Sequence, residues 1–276
     1  MIDLEGNFKS IRDWTFSEML ESRGSKYKFF LFCLRSVKHL PGIKERGNLL
    51  EAYYVFMRQI DDIADRDGRF VPASPEEFIE RKIEFARNPE KPQDSLDYLL
   101  LYAYSQCESL GFDFKQETND ILLSMLFDAR RYGKMQIFPE KELSYHFDLL
   151  DIRGCEKACL KLYKEDSHKF EFVKPLGLAS RIYYNLRDFS EDIGKGLVNV
   201  TQEDMERIGI DIEDLKNSNS EGVNEWFVEQ SRKGMGLLDE HRRVIGSGNF
   251  GLLARITFPL VYERSARKYF DGILEY

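Results

Sequence analysis

The sequence predicts an all-α protein. Three observations carry that expectation. Only eight prolines punctuate the 276 residues. Apolar residues recur at the 3.6-residue period through most of the chain, and no stretch alternates apolar with polar residues as a half-buried strand does. The periodicity places helices over residues 10–22, 25–38, 43–66, 75–87, 94–110, 114–132, 140–164, 167–196, 201–208, 221–245 and 249–274. Segments 66–75, 88–95, 138–142 and 215–222 read as loops too short to divide the chain, so residues 1–276 are expected to form one domain.

Taken in order, the elements carry their own punctuation. Ser25 stands where a cap for the second helix belongs. Ser74-Pro75-Glu76-Glu77 opens the fourth with a cap, a Pro in the first turn and an acid three residues on. Arg130 and Arg131 close the sixth, where cations complement the helix dipole. Gly194 and Gly196 stop the eighth, and Thr201 caps the ninth. Asn217 to Ser220 reads as a surface loop, and Pro175 and Pro259 as helix kinks. Gly246 to Gly251 matches a dinucleotide-binding G-x-G-x-x-G spacing, but no strand precedes it, so it reads as a turn between helices.

Composition narrows the function. A formal net charge of −8 argues against a nucleic-acid surface, which needs a basic patch. The 21 Phe and 14 Tyr suit a core, and equally a greasy ligand or a carbocation. The first residues lack a basic start and an apolar run, so no secretory signal is expected. No apolar run reaches the roughly 18 residues that a membrane span needs. Cys33, Cys107, Cys155 and Cys159 show no zinc-like spacing and read as reduced, Cys155 and Cys159 as buried thiols in a cytoplasmic setting. His39, His146, His168 and His241 are scattered and read as surface or packing residues.

Two stretches carry chemistry. In Tyr54 to Asp65, helical spacing puts Tyr54, Arg58, Asp61, Asp62 and Asp65 along one stripe. In Arg181 to Gly196, Asp188 and Asp192 share a face with Tyr184 and Arg181, and Arg187 lies at its edge. One acidic face reads as solvated surface. Two of them, each beside an arginine and each in an apolar, aromatic-rich helix, read instead as walls that hold cations, because buried carboxylates need partners. Hard oxygen ligands of this kind suit Mg²⁺, which shares its remaining positions with water and phosphate oxygens.

The pair resembles the aspartate-rich signatures of the squalene/phytoene synthase family, the head-to-head prenyltransferases of the isoprenoid synthase fold. The first is written Y-A-x-C-R-x-x-D-D-x-x-D, matched by Tyr54 to Asp65, and the second N-x-L-R-D-x-x-E-D-x-x-x-G, matched from Leu186 to Gly196. Gly177 matches a family glycine ahead of the second, and Ser25-Lys26-Tyr27 resembles the family's S-K-S start, whose polar groups help hold a diphosphate. The resemblance implies Mg²⁺ held by Asp61, Asp65, Asp188 and Asp192, with Asp62 as a supporting ligand or ion-pair partner. It implies Arg58, Arg187 and Lys195 on phosphate oxygens, and Tyr54 and Tyr145 near the carbocation.

Departures from the family fall on the pocket rather than on the acids. Tyr184 stands where the family carries Asn and Arg181 where it carries Gln, so Arg181 would supply a fixed positive charge. The middle motif Y-C-Y-x-V-A-G-x-V-G survives in outline as Tyr145 to Gly154, with Leu150, Asp151 and Arg153 at positions that normally line the prenyl cavity. Asn199-Val200-Thr201 replaces a Y-L-P triplet. The implied partners are an allylic prenyl diphosphate, farnesyl or geranylgeranyl, and a second prenyl diphosphate as acceptor. NADPH is implied only for a squalene product. Alternatives are an aromatic or heterocyclic acceptor handled by Asp151 and Arg153, cyclisation or hydrolysis of the same cation, and a non-catalytic prenyl-diphosphate-binding relative. Peripheral membrane contact is left open by the amphipathic stretches 10–22 and 249–274.

Overall fold

The computed structural model describes residues 4–22, 25–36, 39, 43–67, 71–217, 220–247 and 249–275. Every regular element among them is helical. Contacts divide the chain into two compact units, Met1–Leu126 and Phe127–Tyr276.

The first unit comprises α1 (Leu4–Ser22), α2 (Ser25–Ser36), α3 (Lys44–Ala64), α4 (Pro75–Arg87), α5 (Ser95–Leu110) and most of α6 (Lys115–Arg131). Its core forms around α3, whose Leu49, Ala52, Val55, Phe56 and Ile60 lose all exposure. Burying each of the larger of these contributes about 1.5–3 kcal/mol. Phe8 of α1 stacks on Tyr102 of α5, ring centroids 3.8 Å apart. Buried Lys82 lies 2.5 Å from both Asp94 and Asp97. The Ser74 hydroxyl accepts from the Glu77 N–H at 3.3 Å, as its cap position predicts.

The second unit comprises the end of α6, α7 (Glu140–Phe147), a π-helical stretch Asp148–Glu156, α8 (Lys157–Tyr163), a single 3-10 turn, α9 (Phe170–Arg187), α10 (Phe189–Gly194), α11 (Gln202–Ile208), α12 (Ile212–Lys216), α13 (Glu221–Ser247), α14 (Leu252–Thr257), a second π stretch Phe258–Glu263 and α15 (Arg264–Leu274). Val173, Leu176, Ala179 and Leu186 of α9 meet Trp226 and Leu238 of α13 in its core, closed by Phe258 and Phe270. Thr201 caps α11 by accepting from the Asp204 N–H at 3.1 Å.

Several expectations change. The first helix begins at Leu4 rather than residue 10, and residues 212–216 form a short helix where the periodicity predicts none. The predicted helices 140–164 and 249–274 each contain a π stretch. The second begins beside Pro259, which lacks the N–H that a regular turn would use. The predicted helix 167–196 is two helices that meet at Asp188, where φ is −97° and ψ is 5°. The interruption is shallow. The Asp188 N–H still donates to the Tyr184 carbonyl at 2.9 Å and the Asp192 N–H to the Asp188 carbonyl at 2.8 Å, so the stripe 184–188–192 keeps its register. Ser218, Asn219 and Gly248 lie outside the described residues. Of the G-x-G-x-x-G segment, Gly246 and Ser247 end α13 and Gly251 is the N-cap of α14. All four cysteines are free; Cys107 is buried, while Cys155 is exposed and Cys159 half-buried, against the expectation of buried thiols at 155 and 159. Among the described residues, no helix is long and apolar enough to cross a membrane.

Candidate active site

The first signature ends α3. Arg58 reaches forward one turn and forks, Nη1 to Asp61 Oδ2 at 2.5 Å and Nη2 to Asp62 Oδ1 at 2.6 Å. Asp62 is buried, so its role in this clamp is to fix the guanidinium. Asp65 is the C-cap, its N–H donating to the Asp61 carbonyl at 2.9 Å. Tyr54 is half-buried on the same stripe. Asp61 and Asp62 therefore occupy the final turn of a helix that has no basic residue there. The negative end of the helix dipole disfavours acids at that place. Asp61 and Asp62 meet that cost through Arg58, and Asp65 follows as the C-cap.

The second signature spans the α9–α10 junction. Arg187 lies side-on against Asp188, Nε to Oδ1 at 2.7 Å and Nη2 to Oδ2 at 2.5 Å, and its guanidinium sits 4.8 Å from the centre of the Tyr184 ring. Asp192 is more deeply placed. Burial, and then the charge of Asp188, push its carboxyl up to about 7, despite the opposing pull of Arg131. Its Oδ2 accepts from Asn199 Nδ2 at 2.8 Å, and Asn199 Oδ1 in turn accepts from Arg131 Nη2 at 2.6 Å. Arg131 also donates to the Val198 carbonyl and to Asp128, both at 2.8 Å. Lys195 pairs with Glu191 at 2.8 Å, one turn back along the chain. Gly196 then turns the chain with φ +72°, and a Cβ there would stand 2.7 Å from the Gly133 Cα.

Behind this wall lies the π stretch. Arg181 Nε donates to Asp151 Oδ2 at 2.6 Å, with its guanidinium 4.6 Å from the centre of the Phe147 ring. Burial raises the Asp151 carboxyl, and Arg181 opposes the rise. One turn along, Gly177 leaves the space that the buried Glu156 carboxyl fills; a Cβ at 177 would stand 2.7 Å from Glu156 Oε1. A cavity of about 260 Å³ opens here, its lining including Asp148, Asp151, Arg181, Asn185, Asn199 and Trp226. Arg153 is half-buried on the π stretch. Tyr145 is 51% exposed, its ring set edge-on to His146. The Ser25 side chain lies outside the described residues.

Three participants carry no signal of their role in the sequence. Arg131, expected as a dipole cation at a helix end, is buried and holds Asn199 against Asp192. Asp128 adds negative charge around Asp192, and Glu156 is the partner that explains Gly177. No local pattern joins residues 131 and 199.

Among the described residues, no three His, Cys, Asp or Glu side chains converge as a preformed metal cluster. The chemistry of the donors nonetheless fits Mg²⁺: oxygen ligands only, an acid-rich helix end with no basic residue in its last turn, and a half-buried aspartate raised by desolvation and by its neighbour's charge.

A dehydrosqualene synthase crystal structure, solved in complex with a ligand, matches this chain with a TM-score of 0.71 at 19% sequence identity, over 99% of this chain and 89% of that one. The chain has the dehydrosqualene synthase fold. No family model matches it, and no curated protein matches it in sequence. The likeness to dehydrosqualene synthase is thus one of fold, and the chemistry rests on the residues described above.

Proposed function

We propose that the chain is a Mg²⁺-dependent prenyltransferase, one domain over residues 1–276, that ionises an allylic prenyl diphosphate and passes the prenyl group to a second prenyl diphosphate, as in squalene- or phytoene-type synthesis. The observation that carries this is Asp192, a half-buried acid raised to about 7 by desolvation and by Asp188, in a chain with the dehydrosqualene synthase fold. Asp61 and Asp65 from the first signature, with Asp188 and Asp192 from the second, would hold the metal. Bound Mg²⁺ would supply Lewis-acid neutralisation of the charge that develops on the departing diphosphate.

The chain's own groups do the rest. Asp62 anchors Arg58, which with Arg187 and Lys195 takes phosphate oxygens. Tyr54 and Tyr145 would offer aromatic faces and hydroxyls to a cation. Water must be kept from that cation, which it would quench to an alcohol.

A second acceptor class has one observation in its favour. The Asp151–Arg181 ion pair, with Asp148 beside it, stands in the wall of the cavity, where it would meet a polar aromatic or heterocyclic acceptor more readily than a hydrocarbon tail. Incubation with Mg²⁺ and geranyl, farnesyl or geranylgeranyl diphosphate, with and without NADPH, followed by mass analysis of the extract, separates the two. A hydrocarbon formed from two prenyl units supports head-to-head synthesis, and a requirement for NADPH marks a squalene-type product. Diphosphate release that yields only an alcohol or a cyclised product counts against head-to-head synthesis, and a new product that forms only when an aromatic or heterocyclic acceptor is added supports the second class. Asp61→Asn and Asp188→Asn should each lower Mg²⁺-dependent diphosphate release by at least about a hundredfold with the fold retained; undiminished release in both variants rejects the site.

A further inference from the structure

The stretch from α14 to α15 is two-faced in a way that the core does not account for. Ala254 and Phe258 are buried, while Leu252, Leu253, Ile256, Leu260 and Val261 are exposed by 73, 39, 48, 59 and 50%. Residues 252, 256 and 260 are spaced four apart, and the same spacing continues to Arg264 and Lys268, both exposed. An apolar stripe therefore runs into a basic one. Arg255 lies exposed within the apolar part. Between Leu252 and Lys268 the only acid is Glu263, and it is 1% exposed, turned inward to Arg242 at 2.5 Å and Arg267 at 3.2 Å. Next to Leu260, a groove is lined by Arg264, Arg267 and Lys268, with Pro259 at its apolar edge. Asp271 and Glu275 line the same groove, and Arg267 is also paired with Asp239 at 2.9 Å, so Arg255, Arg264 and Lys268 are the cations this face presents.

We infer that this face docks the protein on the surface of an anionic phospholipid bilayer, the aliphatic side chains entering the acyl boundary and Arg255, Arg264 and Lys268 pairing with lipid phosphates. An exposed cluster of large aliphatic residues is a cost that contact removes, and cations beside an apolar stripe are the pattern of an interfacial helix. The occupant is chosen by charge. The chain as a whole carries −8, yet Arg255, Arg264 and Lys268 stand exposed beside the aliphatic stripe, a pairing that matches an anionic surface. A second copy is a poorer match, because a two-fold contact through this face would set Arg255, Arg264 and Lys268 near their own equivalents. Docking stands independently of the proposed reaction, although prenyl substrates and products partition into bilayers.

The test is co-sedimentation of the full chain with vesicles of three parts phosphatidylcholine to one part phosphatidylglycerol, and with phosphatidylcholine alone. Wild type should pellet with the anionic vesicles. An Ile256→Glu/Leu260→Glu double variant should lose about tenfold or more in vesicle affinity. An Arg264→Ala/Lys268→Ala variant should lose affinity for the anionic vesicles only. Both should melt at the wild-type temperature, since every changed side chain is exposed. Wild type left in the supernatant, or undiminished binding by the first variant, overturns the assignment. So does a wild-type dimer in sedimentation velocity that the first variant dissolves, which would assign the face to a second copy. No substrate enters the measurement, so its failure leaves the catalytic proposal where it stands.

Discussion

Asp192 is the residue whose environment says most about its work. Its carboxyl ionises near 7 in the folded chain against an ordinary 3.8, so protons bind the folded state more tightly than the unfolded one. Without metal, this group's contribution to stability is therefore complete below about pH 4 and lost as pH rises through about 7. Metal binding needs the carboxylate, so Mg²⁺ affinity should rise through the same interval. Thermal melts of the metal-free protein between about pH 4 and 8, compared with Asp192→Asn, should show the slope in wild type and its absence in the variant. Arg58 makes the complementary case. Its two nitrogens bridge Asp61 and buried Asp62. Arg58→Ala should cost roughly 2 kcal/mol in denaturant unfolding, less than a fully buried pair because the guanidinium keeps some solvent access. Arg58→Lys should recover little of it, because one ammonium cannot reproduce the planar fork.

At the scale of elements, the α9–α10 junction decides how the second signature is presented. Tyr184, Asp188 and Asp192 are legible as one stripe because the hydrogen bonds at 188 and 192 preserve the helical register. Beyond Asp192 the chain relies on a close backbone approach. The Gly133 N–H donates to the Lys195 carbonyl at 2.9 Å and the Met135 N–H to the Gly196 carbonyl at 3.0 Å, tying the end of α10 to the segment after α6. Gly196 permits this through its positive φ and its missing Cβ. Gly196→Ala should destabilise by about 2–4 kcal/mol, the left-handed strain adding to a backbone clash, and should weaken Mg²⁺ binding with it. Chemical denaturation paired with metal titration reads both. The π stretch Asp148–Glu156 works in the same way: its wide turn carries Asp151 to Arg181 and Glu156 to Gly177, two contacts along α9 that a count at 3.6 residues per turn does not anticipate.

For the whole molecule, ligand binding should appear as stability. Mg²⁺ with inorganic diphosphate should raise the melting temperature, because a ligand at about a hundred times its Kd adds about 2.7 kcal/mol to the folded state. Either component alone should raise it less, and Asp188→Asn should remove most of the joint shift. Scanning calorimetry with each addition checks this without reference to turnover. The helical class, most helix positions, the caps at Ser74 and Thr201 and the two Asp/Arg signatures are written in the chain itself, because each is set by spacing within one or two turns of helix. The Arg131–Asn199–Asp192 relay, the pairing of Arg181 with Asp151, the carboxyl held beside Gly177 and the exposed aliphatic face of α14 come into being only on packing. Those depend on which helices meet and which face each turns to solvent, and residues far apart in the chain carry no local pattern that records their meeting.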